Sequence, residues 1–257
     1  MRPKPRIASL VPSLTELVVE LGLGPHLVAR TGYCIHPAQA LAAVPKIGGT
    51  KDVNLAKLRR LAPTHVLVNV DENRADTVAA LREFVPNIVV THPCAPADNL
   101  ALVEQLRGVF EGLAGVTSRA AALRAEIERE LALTPAPSAA SARVLYVIWH
   151  DPWMTVARDT YISRMLALIG WQTEPAVEGG ASGSARYPAV RGDEAWLADV
   201  DRVLLSSEPF SFESGHAAAA QALCPQARVQ RVDGELLSWY GARAPAGLRY
   251  LRELQHS

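Results

Sequence analysis

The sequence predicts the α/β class: two similar lobes, each a mainly parallel sheet with helices on its faces, joined by one long helix. Three observations lead there. Short apolar runs alternate with helix-like segments along both halves, the rhythm of a parallel sheet whose strands are linked by helical crossovers. Residues 117–133 are rich in Ala, Leu, Glu and Arg and contain neither glycine nor proline, which suits one continuous helix. Residues 134–141, Thr-Pro-Ala-Pro-Ser-Ala-Ala-Ser, then have linker composition before the rhythm restarts. The boundaries drawn from this are 1–115, 116–142 and 143–257. At 257 residues the chain exceeds the usual domain of about 100–150 residues, so two comparable domains or one large α/β domain fit its size.

Each element has a local reason. Residues 7–11 read as a buried strand, and Ser13-Leu14-Thr15-Glu16 supplies a capping box for a helix ending near Gly22. Asn54 caps a helix that carries Leu55, Leu58 and Leu61 and stops near Pro63. A strand follows at 66–70, a helix at 73–84 and a strand at 88–90. Asp98 caps the helix bearing Leu102, Val103, Leu106 and Phe110. In the second half, strands are expected at 144–149 and 203–205, with helices at 160–169, 193–199, 215–223 and 246–254. Residues 58–68 and 197–205 both read as helix end, tight turn and strand, so the two halves echo each other.

Composition narrows the function. The chain is 49% hydrophobic and 20% charged, an ordinary globular balance. Its 26 basic and 26 acidic residues cancel, leaving no electrostatic footprint for nucleic acid or an anionic membrane. Cys34, Cys94 and Cys224 are odd in number and far apart, which matches neither a disulfide framework nor a CxxC zinc site. No secretory leader is readable at the start, and no apolar run reaches about 18 residues, so a cytoplasmic chain without a membrane span is expected. Gly22-Leu23-Gly24 lacks a third glycine and follows a helix, so it is no dinucleotide fingerprint. There is no phosphate-cradling loop, and neither Ser13 nor Ser206 has a nucleophile-elbow context. Asp71, Glu72 and Glu208 are carboxylates at strand ends, positions usually solvated.

Binding chemistry concentrates in four loops. Tyr33-Cys34-Ile35-His36-Pro37 and Trp149-His150-Asp151-Pro152-Trp153 each follow an apolar run, one in each half. Cys34 and His36 point the same way if their segment is extended, offering two metal ligands or an activated thiol; the alternative is an inward-packed cysteine and a backbone-bound histidine. Asp151-Pro152 favours a turn at a strand's carboxyl end, where open α/β sheets collect ligands, and two indoles there supply stacking area. Glu208-Pro209-Phe210-Ser211-Phe212 and Trp239-Tyr240-Gly241 hold comparable positions. At least one of Phe210 and Phe212 is expected to anchor its own loop.

These residues carry a resemblance. Ile7-Ala8-Ser9-Leu10-Val11-Pro12-Ser13 with Thr15-Glu16, Gly48-Gly49-Thr50-Lys51 with Asn54-Leu55, residues 63–70, and residues 149–159 with Thr160 and Leu166 are similar to the iron/vitamin B12-type, class III family of periplasmic substrate-binding proteins of ABC importers. The resemblance is nearest to the cobalamin-binding branch and runs over nearly the whole chain. It implies two Rossmann-like lobes on a single backbone helix, a ligand cleft between them, and a metal chelate such as a corrinoid, haem or iron-siderophore as ligand. It also implies docking on a membrane subunit through an acidic residue on each lobe. Here Ala56 stands at the first of these positions, and Asp193-Glu194 keep the second acidic. A periplasmic location follows if a leader has been removed.

The resulting expectation is a non-enzymatic, monomeric binding protein for a metal chelate, most nearly a corrinoid, needing no cofactor of its own. Tyr33, Cys34 and His36 form one wall, and Trp149, His150, Trp153, Glu208, Phe210, Trp239 and Tyr240 the other. Cys34, His36 or His150 reaches the metal. Two rivals remain: a receptor for a bare Zn, Fe or Mn ion held by His36, His150, Glu208 and Cys34, and a thiol enzyme with Cys34 as nucleophile.

Overall fold

The computed structural model describes residues 4–134, 137 and 139–256, so Pro135, Ala136 and Ser138 of the expected linker lie outside the described residues. The chain forms two compact units. The first takes in residues up to Pro93, Asn99–Ile127 and Tyr240–Arg243; the second takes in Cys94–Asp98, Glu128–Trp239 and residues from Ala244 onward.

In chain order the first half contains β1 (Ile7–Ser9), α1 (Pro12–Glu20), β2 (Leu27–Arg30), α2 (Ala38–Leu41), α3 (Leu55–Arg60), β3 (His65–Asn69), α4 (Ala75–Leu81), β4 (Asn87–Thr91), α5 (Asp98–Phe110) and α6 (Val116–Ala132). The expected long helix at 117–133 is therefore present, displaced by one residue. The expected capping box at Ser13 is not. Pro12 opens α1 because its fixed φ and missing N–H suit the first helical position, so Val11 is the cap residue and Ser13 lies inside the helix. Asn54 caps α3 as expected, its side chain accepting from Lys57 N at 2.8 Å. Asp98 is the first residue of α5 rather than its cap, and its carboxylate turns back to accept from the N–H groups of Cys94 and Ala95, both at 2.8 Å.

The second half contains β5 (Ala142–Val147), β6 (Trp153–Met154), α7 (Tyr161–Ala167), β7 (Trp171–Thr173), β8 (Ala189–Val190), β9 (Arg202–Ser206), α8 (Ser214–Leu223), β10 (Arg228–Val232), α9 (Gly234–Ser238) and α10 (Ala244–Gln255). The helix expected at 193–199 is a 3-10 turn over Ala195–Asp199.

Both units repeat one topology. The first sheet is ordered β2-β1-β3-β4 and the second β7-β5-β9-β10, every pair parallel. Counted within each unit, both read 2-1-3-4. Consecutive residues of β5 and β9 feed opposite faces: Val144, Tyr146 and Leu204 enter one core with α7 and α10, while Leu145, Val147, Val203 and Leu205 enter another with α8. That alternation is why both strands are apolar at every one of these positions. The first unit's core gathers Ala8, Leu10, Ala29, Ile47, Leu58, Val66, Val68 and Leu81. Among the described residues no helix is long and apolar enough to cross a membrane.

Within the second unit, Glu130 near the end of α6 is only 5% exposed and is held by three guanidinium groups: Arg249 at 3.0 Å, Arg252 at 2.6 Å and Arg129 at 3.3 Å. Arg252 also donates to Thr134 Oγ1 at 2.6 Å. Hydrogen bonding from Arg252, then from Arg249 and Arg129, outweighs burial and holds the Glu130 carboxyl below the usual carboxylate range. Because the folded pKa is depressed, the stabilisation is fully present above the unfolded value near ~4.3 and is lost as pH falls through the folded value. Glu130→Gln should cost about 2 kcal/mol at pH 7, measured by urea unfolding, and its deficit relative to wild type should shrink as the pH is lowered below about 4. A deficit independent of pH would mean that packing, not charge, joins α6 to α10.

Candidate functional site

In the second sheet β5 and β9 are neighbours, and the chain leaves them toward opposite edges: β5 is followed by β7, and β9 by β10. Loops at such a switch point diverge above the carboxyl ends of the two strands and leave a crevice. The loop after β5 doubles back at once, with Ile148 N donating to Met154 O at 3.0 Å and Met154 N to Trp149 O at 3.1 Å. Its tip is Asp151, at φ 63°, a left-handed conformation that a short polar side chain tolerates. The loop after β9 carries Glu208, Phe210 and Phe212.

Six rings from these loops and α8 meet. Trp149 packs edge-on to Phe210 (centroids 5.3 Å), His150 edge-on to Trp153 (4.4 Å), and Trp153 lies parallel to Phe212 (6.2 Å). Phe210 is 4.8 Å from Phe212, and the His216 ring lies 4.9 Å from His150 and 5.1 Å from Phe210. Trp149 remains 41% exposed, whereas Phe212 is buried and anchors the loop. The patch is thus a contiguous aromatic surface with a buried footing and an open indole.

His216 is the ring the sequence reading missed. Its Nδ1 accepts from Glu213 N at 2.8 Å while the Glu213 side chain accepts from the His216 backbone, a reciprocal cap on α8. The signal was the three-residue spacing of Glu213 and His216, unusual because the pair reverses the residue types normally found in a capping box.

Glu208 and Trp239 serve the patch from below. Glu208 Oε1 accepts from Trp239 Nε1 at 2.7 Å and Ser238 Oγ at 2.6 Å. Below Glu208, Ser206 Oγ accepts from Tyr146 Oη at 3.0 Å and Glu208 N at 3.4 Å. Burial pushes the Tyr146 phenol well above its usual pKa. Gly234 makes this close approach possible, since a Cβ there would meet Ser206 Oγ at 2.2 Å. Trp239 is therefore buried with its ring N–H committed, and Glu208 is a structural acceptor rather than an open ligand. Tyr240, expected beside Trp239, packs instead in the first unit and is buried, followed by Gly241, whose N–H donates to Asn99 Oδ1 at 2.6 Å.

In the first unit, Tyr33 stands 64% exposed after the carboxyl end of β2, with Ile35 also exposed. The Gly48-Gly49 turn backs it: Gly32 N donates to Gly48 O at 2.7 Å, and a Cβ on Gly49 would press the Tyr33 ring at 3.3 Å. Cys34 does not share this surface. The segment turns rather than extends, Cys34 N donating to Thr31 O at 3.4 Å, and the side chain is fully buried with Sγ 3.1 Å from Thr31 Oγ1 and 3.9 Å from Ser9 O. Burial raises its thiol pKa against the lowering effect of hydrogen bonds from Thr15 and Thr31. The shared orientation expected for Cys34 and His36 fails for that reason: the thiol is enclosed, while His36 is half-buried. A thiol without an accessible thiolate is no nucleophile. Among the described residues no group of three or more His, Cys, Asp or Glu side chains is placed to hold a metal ion.

The acidic pair of the second unit divides its work. Glu194 accepts from the N–H groups of Arg191 (3.0 Å) and Gly192 (2.8 Å), whereas Asp193 is exposed beside Arg191 at 3.2 Å. Ala56 is exposed.

No family model matches the chain. It is 26% identical over 215 residues to the vitamin B12-binding protein of Vibrio vulnificus strain YJ016, covering 84% of this chain and 73% of that protein. The solved periplasmic vitamin B12-binding protein BtuF of Vibrio cholerae superposes with a TM-score of 0.77 at 21% identity, covering 99% of each chain. The periplasmic heme-binding protein RhuT of Roseiflexus sp. RS-1 superposes with a TM-score of 0.76 at 20% identity over 99% and 97% of the two chains. The chain therefore has the two-lobed α/β fold of the class III periplasmic binding proteins of ABC importers. The relatives named for vitamin B12 agree with the resemblance to the cobalamin branch read from the sequence.

Native protein treated with a thiol reagent at neutral pH should keep Cys34 unlabelled until it unfolds, as read by peptide mass mapping. Labelling of Cys34 faster than a model thiol would restore the thiol-enzyme reading.

Proposed function

We propose that this chain is a non-enzymatic, monomeric receptor for a flat metal chelate of corrinoid or haem type, the corrinoid preferred, and that it hands its ligand to an ABC-importer membrane subunit. The observation that carries the reading is the aromatic patch at the β5/β9 switch point: six rings, already assembled against one another, with Trp149 exposed. A macrocycle laid on such rings gains stacking and burial at little cost in side-chain order. The curated relatives named for vitamin B12 support the corrinoid, and the haem-binding structural neighbours support the wider class.

His150 is the best placed of the expected metal ligands. It is half-buried and makes no hydrogen bond to the described residues, so a ring nitrogen is available to an axial position. His36 stays a weaker candidate, and Cys34 drops out through burial. Tyr33 is the large exposed ring of the first unit. Relatives described as periplasmic favour that compartment over the cytoplasmic one expected from the sequence. Asp193 is the acidic side chain left free of the Gly192 turn to meet a membrane subunit.

The test is an absorbance titration of purified protein with cyanocobalamin, dicyanocobinamide, hemin and ZnCl2. At least one macrocycle should bind while zinc does not, and Trp149→Ala should weaken the macrocycle by roughly 30-fold, about 2 kcal/mol. Saturable zinc binding with no macrocycle bound, or a Trp149→Ala protein that binds as wild type does, would refute the proposal.

A further inference from the structure

A hollow adjoins the ring patch through Phe212. It has a volume of about 600 Å³ and lies wholly within the second unit. Leu205 of β9, Phe212, Ala217 of α8 and Val229 of β10 give it apolar walls, and Ser211, Glu213, Ser214, Gln230 and Arg231 give it polar ones. Phe212 belongs to both features: it lies parallel to Trp153 in the patch and also lines this hollow.

The polar groups differ in commitment. Glu213 is tied to the first turn of α8 through its reciprocal cap with His216. Arg231 makes no ion pair with the described residues, and the side chains of Ser211, Ser214 and Gln230 are likewise without hydrogen-bond partners there. An apolar hollow edged by uncommitted donors and one unpaired guanidinium has the makings of a site for an amphipathic anion. The Glu213 carboxylate opposes an anion, so the approach must come from the Arg231 side.

We infer that this hollow receives an anionic side arm of the ligand whose ring system rests on the aromatic patch, with Arg231 as the charge partner. The inference rests on the proposed chelate-binding function. A phosphodiester arm of a corrinoid and a propionate arm of a haem share this chemistry. Arg231 is a specificity residue here: it separates ligands that carry the arm from those that lack it.

Affinities of wild type, Arg231→Ala and Trp149→Ala are to be compared for two matched pairs: cyanocobalamin against dicyanocobinamide, which lacks the phosphodiester arm, and hemin against hemin dimethyl ester, whose propionates are capped. In Arg231→Ala the ratio of armed to armless affinity should fall about tenfold for at least one pair, and the responding pair identifies the arm. In Trp149→Ala both members should weaken together with their ratio kept. Ala217→Leu, which narrows the hollow without touching charge, should lower the same ratio. Unchanged ratios in both Arg231→Ala and Ala217→Leu, with macrocycle binding intact, would overturn the side-arm site and leave the chelate receptor standing. Failure of all four probes to bind wild type would overturn both.

Discussion

The pairing of β5 with β9 is the constraint on which the site depends. Val144 to Val147 lie in register against Arg202 to Leu205, and both strands are covered on both faces. Tyr146, wholly buried, spends its hydroxyl on Ser206 Oγ at the end of β9 and so avoids the penalty of an unpaired buried polar group. Ser206 in turn receives the Glu208 N–H, and Glu208 holds the Trp239 indole. A hydrogen-bonded column thus runs from the middle of the sheet to the loop that carries Phe210. The direction of that loop is set by the core rather than by its own sequence.

Above this column the rings brace one another. Phe212 is buried and locks the loop after β9; Trp153 is fixed by its short ladder with β8 and by Phe212; His216 is fixed by the cap on α8. The patch therefore exists before any ligand arrives, and little side-chain entropy remains to be lost on binding. Trp149 is the exception, edge-on to Phe210 and the one exposed ring of the six. The first unit repeats the strategy on a smaller scale, with a glycine turn that leaves room for the exposed Tyr33 ring.

Much of the fold was legible because its interior strands are legible. β1, β3, β5 and β9 are apolar at successive positions, as strands covered on both faces must be, and all four were read. The strands missed from the two four-stranded sheets, β2, β7 and β10, are edges: two are only three or four residues long, and β10 is Arg-Val-Gln-Arg-Val, with polar groups where a neighbour is lacking. The ring cluster was legible to the same depth. Trp149, His150, Trp153 and Phe210 could be found because aromatic residues cluster after interior strands. Cys34 was misplaced because a one-turn reversal defeats the alternation rule for extended chains, and Trp239 because its sequence gives no sign of the carboxylate 31 positions earlier that receives its ring N–H. His216 lay in a run of alanines, where its role is set by Glu213 and by rings distant in sequence.

A crystal structure grown with hydroxocobalamin or hemin tests the central claim most directly. The account predicts a macrocycle lying on the Trp149–Phe210 face, with the His150 ring turned toward the metal and the six rings in the arrangement described. Density for the macrocycle elsewhere on the chain, with the Trp149 ring still bare to solvent, would contradict it.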